Sequence, residues 1–129
     1  MLNLNHNKSI PLDIVNFLNS KEEILKKDKS QTEANKFSNL LITNGLINTL
    51  AYYNSKSKGK ESKDKDIDKD IKEFYEKIII EFLADKLKIN NKQEIFQVLL
   101  NKKPFELLEI TNFMLIFSNY LKYYIKKFD

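Results

Sequence analysis

Four aspartates, Asp64, Asp66, Asp68 and Asp70, alternate with Lys or Ile along KDKDIDKD. Alternating carboxylates are the oxygen donors of calcium loops, but such a loop also needs a Gly at its sharp turn and a bidentate Glu at its end. Neither stands at the required spacing, and lysines separate the acids, so the stretch reads as solvated charge. His6 is the single histidine, in an N-terminal segment that the sequence leads one to expect to be loose. It reads as a surface residue and not as a base or ligand. The chain has no cysteine for a thiolate metal site or a disulfide, no Gly-rich phosphate loop and no Ser-His-Asp set. The expectation is a protein that is not an enzyme, with no catalytic residue, no metal and no cofactor.

The remaining chemistry is that of lysine. All 22 basic residues are Lys, against 18 acidic ones, for a formal charge of +4. Without Arg, a phosphate would meet a compact ammonium in place of a bidentate fork. The lysines group as Lys21, Lys26, Lys27, Lys29 and Lys36, then Lys56, Lys58, Lys60 and Lys63, then Lys122, Lys126 and Lys127. Lys122 and Lys126 share a polar helical face with Asn112 and Asn119. Each group reads either as an ordinary solvated face or as a phosphate-binding one, and composition does not choose between them. Tyr and Phe fall almost entirely on apolar stripes, which favours packing over base stacking.

These side chains must be carried by helices. With two Gly and two Pro in 129 residues, 42% hydrophobic and 31% charged, the chain reads as one helical domain over residues 1–129. The N-terminus lacks the long apolar core of a signal peptide. The longest apolar run, Phe113 to Phe117, is far short of the ~20 residues of a membrane span. A soluble, cytoplasmic protein with no membrane partner is expected.

The centre of LLITNGLINTLAYY (40–53) carries Asn44-Gly45, a strong β-hairpin signal. Its flanks do not alternate, however, and Ala34, Phe37, Leu40, Leu41, Ile47 and Ala51 keep helical steps, with Asn44 and Asn48 on the same stripe. A long central helix is expected, opened by a Ser30–Glu33 capping box, with Gly45 inside it at a tight helix crossing. Upstream, Pro11 begins a helix, and a second box-like signal at Ser20 and Glu23 allows one bent helix or two short ones. A flexible charged loop at about 56–66 leads into a helix capped by Asp64 or Asp66. That helix carries Ile71, Phe74, Tyr75, Ile78, Ile79, Phe82, Leu83 and Leu87 on one face. Asn90-Asn91 ends it, Asn91 caps a short helix to about Leu100, and Pro104 opens a long last helix reaching Phe128. The last helix is apolar on a main stripe, Ile110, Phe113, Met114, Phe117, Leu121, Tyr124 and Phe128. A second group follows at Leu108, Leu115, Ile116, Tyr120 and Tyr123, enough for a second packing face. The fold expected is all-α: a compact bundle of about five to six helices with a long central and a long C-terminal helix.

Two blocks carry a family likeness. TNGLINTLAYYNSK (43–56) resembles the N-G-L-x-x-x-L-A segment of the small helical subunit of type III-B CRISPR effector complexes, the Cmr complexes. Asn44, Gly45, Leu46, Leu50 and Ala51 match, Lys56 stands where the family often has its basic residue, and Lys36 matches an upstream Lys. ITNFMLIFSNYLKYYIKKF is similar to the family's C-terminal helix at Thr111, Asn119, Tyr120 and Lys122. Ser38, Tyr120 and Lys122 stand where relatives commonly carry Pro, Trp and Arg. The resemblance implies a non-catalytic subunit of an RNA-guided, RNA-targeting complex, stacked beside backbone subunits and lining the channel of the guide–target duplex. The partners so implied are guide RNA, target RNA, other effector subunits and further copies of this chain. The related Csm-type small subunit is a close variant. Lys36, Lys56 and Lys122, with Lys58 and Lys126 as neighbours, are the implied RNA-backbone contacts. The alternative from another class is a helical protein–protein adaptor or dimerisation module without nucleic-acid binding.

Overall fold

The computed structural model describes residues 9–57 and 65–128. His6, Lys58, Lys60, Lys63 and Asp64 lie outside the described residues, as do the side chains of Asp66 and Asp68. Helices α1 (Ser9–Asn19) and α2 (Glu22–Leu25) precede the long central helix α3 (Asp28–Ser57). Next, α4 (Lys65–Glu73) runs through a π-helical stretch, Phe74–Ile80, into α5 (Glu81–Leu87) as one unbroken rod. A 3-10 turn at Lys92–Glu94 leads into α6 (Ile95–Leu100), and α7 (Pro104–Ile125) ends in a second 3-10 turn, Lys126–Phe128. Counting the rod as one, six helices and no strand make up the described residues.

The helix starts correct the sequence reading in detail. Helix α1 begins two residues before Pro11, which still lies in the first turn, where its missing N–H is harmless. Ser20 caps nothing: its hydroxyl donates to the Phe17 carbonyl and closes α1, and Lys21 precedes α2 without a side-chain cap. Two short helices result. The Ser30–Glu33 box does not form either. Helix α3 has already begun at Asp28, and the buried Ser30 hydroxyl donates to the Ile24 carbonyl at 2.7 Å, tying α2 to α3. Farther on, Asn91 and Pro104 mark helix starts as expected, and Glu106 adds a bond that was not expected. Asn91 Oδ1 accepts from the Gln93 N–H at 3.0 Å, and Glu106 Oε1 accepts from the Lys103 N–H at 3.1 Å ahead of Pro104.

Gly45 decides the centre of the molecule. Its φ of 81° and ψ of 173° are not helical, so α3 consists of two arms that meet there. The first arm buries Ser30, Glu33, Ala34, Phe37, Ser38 and Leu41, and the second buries Leu46, Thr49, Leu50 and Tyr53. A straight helix would have carried the first stripe on to Asn44, Asn48 and Ala51, all of which are exposed. The arms also fold back on each other: the Tyr53 hydroxyl donates to the Glu33 carbonyl at 3.3 Å, and the Phe37 and Tyr53 rings meet edge-on at 6.1 Å. In a straight helix at ~1.5 Å per residue, Glu33 and Tyr53 would stand ~30 Å apart and Phe37 and Tyr53 ~24 Å apart. The expected tight crossing is therefore absent. A Cβ at Gly45 would meet no heavy atom within 4 Å. Glycine is required there for its positive φ and not for space.

The rod and α7 supply the core against which these arms pack. Ile71, Phe74, Tyr75, Ile78, Ile79, Phe82 and Leu83 are all buried, while Leu87 is half-buried. The wider π turns bring Ile80 to the buried side as well. Helix α5 ends at Leu87, before Asn90, because Lys88 adopts a left-handed conformation (φ 58°). The Ile89 N–H then bonds the Ala84 carbonyl at 2.9 Å, the closure that usually employs Gly. On α7, Ile110, Phe113, Met114, Phe117 and Leu121 are buried, with Ile125 in the place expected for Tyr124. Phe82 stacks on Phe117 at 4.1 Å and on Phe113 at 5.6 Å, and Phe17 of α1 closes on it at 5.0 Å. The second face of α7 is only partly covered: Leu108 and Tyr123 are exposed, and Leu115, Ile116 and Tyr120 are half-buried.

Candidate nucleic-acid interface

Most of the lysines that the structure places near acids are spent on holding helices together. Lys21 and Lys92 reach Glu81 at 2.8 and 3.8 Å, Lys27 reaches Glu73 and Asp70 at 2.7 and 3.6 Å, and Lys86 reaches Asp13 at 3.2 Å. Lys26, Lys29 and Lys127 pair with Glu23, Glu33 and Glu22. Burial pushes the Glu81 carboxyl up, but Lys21, Lys92 and Lys77 outweigh it and hold the group below its ordinary range. A cation already matched in this way offers little to a phosphate.

Lys36 and Lys56 differ. Neither forms an ion pair among the described residues, and both approach one ring. Lys36 Nζ stands 5.2 Å and Lys56 Nζ 5.7 Å from the centroid of Tyr52. Lys56 reaches it as an i+4 neighbour on the second arm. Lys36, 16 positions upstream on the first arm, reaches it only because Gly45 reverses the chain. The reversal is locked beneath by Tyr53. Tyr53 is fully buried, meets Tyr52 edge-on at 5.2 Å, and lies parallel to Tyr75 of the rod at 5.8 Å. Burial first, and the Glu33 carboxylate second, push the Tyr53 hydroxyl well up, and burial pushes that of Tyr75 up to about 12. Both phenols stay neutral and act as packing groups. Above them, the Tyr52 hydroxyl and then Glu33 hold the Lys36 ammonium above its usual range against a weaker opposing effect of burial.

The other sequence-derived candidates fall elsewhere. Lys126 sits over the Tyr123 ring at 5.4 Å near the end of α7, and Lys122 is half-buried one turn earlier. No hydrogen bond, ion pair or aromatic contact among the described residues joins this pair to the Lys36–Lys56 pair. Thr111 donates its hydroxyl to the Leu107 carbonyl at 2.8 Å, a helix-internal use, while Asn119 is exposed. Sequence reasoning missed Tyr52 by assigning the aromatics to core stripes. Its i+4 spacing to Lys56 was the one available signal. It also passed over a cleft of about 320 Å³ lined by Lys86, Leu87, Lys88, Lys102, Glu106, Glu109 and Ile110.

Among the described residues, no group of three or more His, Cys, Asp or Glu side chains is placed to hold a metal. No described helix is long and apolar enough to cross a membrane. Comparison with known proteins adds one match. A family model described as CRISPR-associated protein (Cas_Cmr5) covers residues 12–128, which include both arms of α3 and all of α7. No curated protein and no solved structure matches the chain.

Proposed function

The chain belongs to the CRISPR-associated Cas_Cmr5 family and is a small helical subunit of a Cmr, type III-B, complex, within which we propose that it contacts the backbone of guide or target RNA through lysines. The observation that carries this reading is the pair Lys36 and Lys56, drawn from two arms of α3 to one ring and left without a carboxylate partner among the described residues. Ammonium groups of this kind hold phosphates and read no bases, so the contact is independent of sequence and sensitive to salt. The role is non-catalytic: the subunit steadies a bound strand while partner subunits carry out the chemistry, in the cytoplasm and as one folded domain. The half-covered second face of α7, with Leu108 and Tyr123 exposed, fits contact with neighbouring subunits, including further copies of the same chain.

The test is target-RNA retention by a Cmr complex reassembled with the triple variant K36A/K56A/K122A. An unchanged fold and weaker retention at rising salt are expected. Undiminished retention removes the lysine assignment. The balanced ion pairs of Lys21, Lys27, Lys86 and Lys127 favour a second reading, a protein–protein adaptor without RNA. Purification of the tagged chain from its host at gentle salt separates the two. Recovery of backbone subunits and guide RNAs with a shared repeat-derived tag supports the first, and a single protein partner without RNA supports the second.

A further inference from the structure

We propose that Tyr52 is a positioning residue that, with Lys36 and Lys56, forms one preorganised clamp for two neighbouring phosphates of a single RNA strand. The proposal rests on the RNA-contacting role above and adds a residue and a mode of action that the lysines alone do not imply.

An exposed lysine is a poor phosphate ligand because its four-carbon stem must be ordered on binding, at ~2 kcal/mol of rotamer entropy when fully fixed. Here the cost is partly met in the free protein. Both ammonium groups are attracted to the face of one phenol ring, an interaction that orders a cation without neutralising it. A carboxylate would order a lysine too, as Glu81 does Lys21, but would cancel its charge. The ring therefore leaves two full positive charges whose separation cannot exceed the sum of their two distances to its centroid. That range includes the ~6 Å between successive phosphates implied by the rise and radius of a nucleic-acid strand. Tyr52 is itself held. It is half-buried, packed edge-on against Tyr53, and Tyr53 is bonded to the Glu33 carbonyl one turn before Lys36. The charge spacing thus depends on the reversal at Gly45 and on the ring, and on nothing in the lysines themselves.

The experiment uses the full chain and a fluorescein-labelled oligouridylate, with dissociation constants measured by anisotropy over a series of low salt concentrations. K36A/K56A is expected to weaken binding about tenfold, the effect of two exposed ion pairs, and to reduce the log–log salt slope by about 1.4. Y52L keeps both charges but removes the ring. It is expected to weaken binding about threefold, with a slope close to that of the parent, whereas Y52F, which keeps the ring and loses only the hydroxyl beside Lys36, falls between the parent and Y52L. K103A, on an exposed lysine with no cation–ring contact among the described residues, is the control and should change affinity less than twofold. Thermal melts of each variant separate loss of fold from loss of binding. No binding by the parent chain, even at the lowest salt, overturns the clamp, and the reassembled-complex assay above then decides the RNA role by itself. Binding that K36A/K56A leaves unchanged overturns the clamp but not the RNA role. Binding that K36A/K56A weakens while folded Y52L matches the parent overturns the part assigned to Tyr52.

Discussion

Replacing Gly45 by Ala tests the central feature of the fold, because the two possible backbones demand opposite signs. Inside a regular helix, Gly to Ala stabilises by ~1 kcal/mol. At φ 81° and ψ 173° the backbone lies in a region that is essentially restricted to Gly, where another residue costs ~1–3 kcal/mol. No heavy atom lies within 4 Å of the added Cβ, so collision contributes nothing and the cost is backbone strain alone. A less flexible unfolded chain returns ~0.4–1 kcal/mol. The net expectation for Gly45→Ala is destabilisation by about 1–2 kcal/mol. Should the variant relieve its strain by straightening α3, the loss is larger, because Leu46, Leu50 and Tyr53 leave the core and the Tyr53–Glu33 bond breaks. Urea unfolding followed by circular dichroism gives the number. A D-alanine introduced at position 45 by semisynthesis supplies the mirror-image control. Its preferred φ is positive, so it should be at least as stable as the parent. An L-alanine variant as stable as the parent, or more so, would refute the reversal at Gly45 and the meeting of Lys36 with Lys56 that depends on it.

Three further outcomes follow from the same structure. Lys88→Gly removes a left-handed non-glycine residue from the end of α5 and should raise stability by about 0.5–1 kcal/mol in the same assay. Glu81→Gln should cost about 1 kcal/mol at neutral pH, since the Lys21–Glu81 contact of 2.8 Å is partly shielded from water. Because the folded Glu81 titrates below its unfolded value, the contribution is complete above the ordinary carboxylate range and disappears as pH falls through the folded value. Parent and variant unfolding curves should therefore converge in acid, and a gap that stays constant would reject the pairing. Phe82→Ala removes the ring on which Phe17, Phe113 and Phe117 converge and should cost about 3–5 kcal/mol, readable as a lowered denaturation midpoint.

The helices themselves were legible in the residues because helical periodicity is local. Ile71 through Leu83 and Ile110 through Leu121 repeat at three and four, and the burial of those stripes followed from that spacing, whereas that of Ile80 came from the π turns. Pro104 and Asn91 marked starts through groups that act within one turn. Family membership was legible too, through Asn44, Gly45, Leu46, Leu50 and Ala51 and the block from Thr111 to Lys122. What periodicity could not supply was the direction of the chain at Gly45. A helix-period pattern on both sides of a Gly is compatible with passage straight through it or with reversal. The five-residue step from Leu41 to Leu46 was a trace of the change in phase, while the lesser stripe through Asn44 and Asn48 concealed it. Ser30 likewise carried the residue type of a cap but became a tie to Ile24 once α3 began earlier. Only the tertiary structure decided that Lys36 and Lys56 share one ring, because their nearness is a property of two arms packed against the rod. The amino-acid order specifies the torsions each residue can adopt; burial of Tyr53 between Phe37, Phe74 and Tyr75 selects the one at Gly45 that folds the arms together.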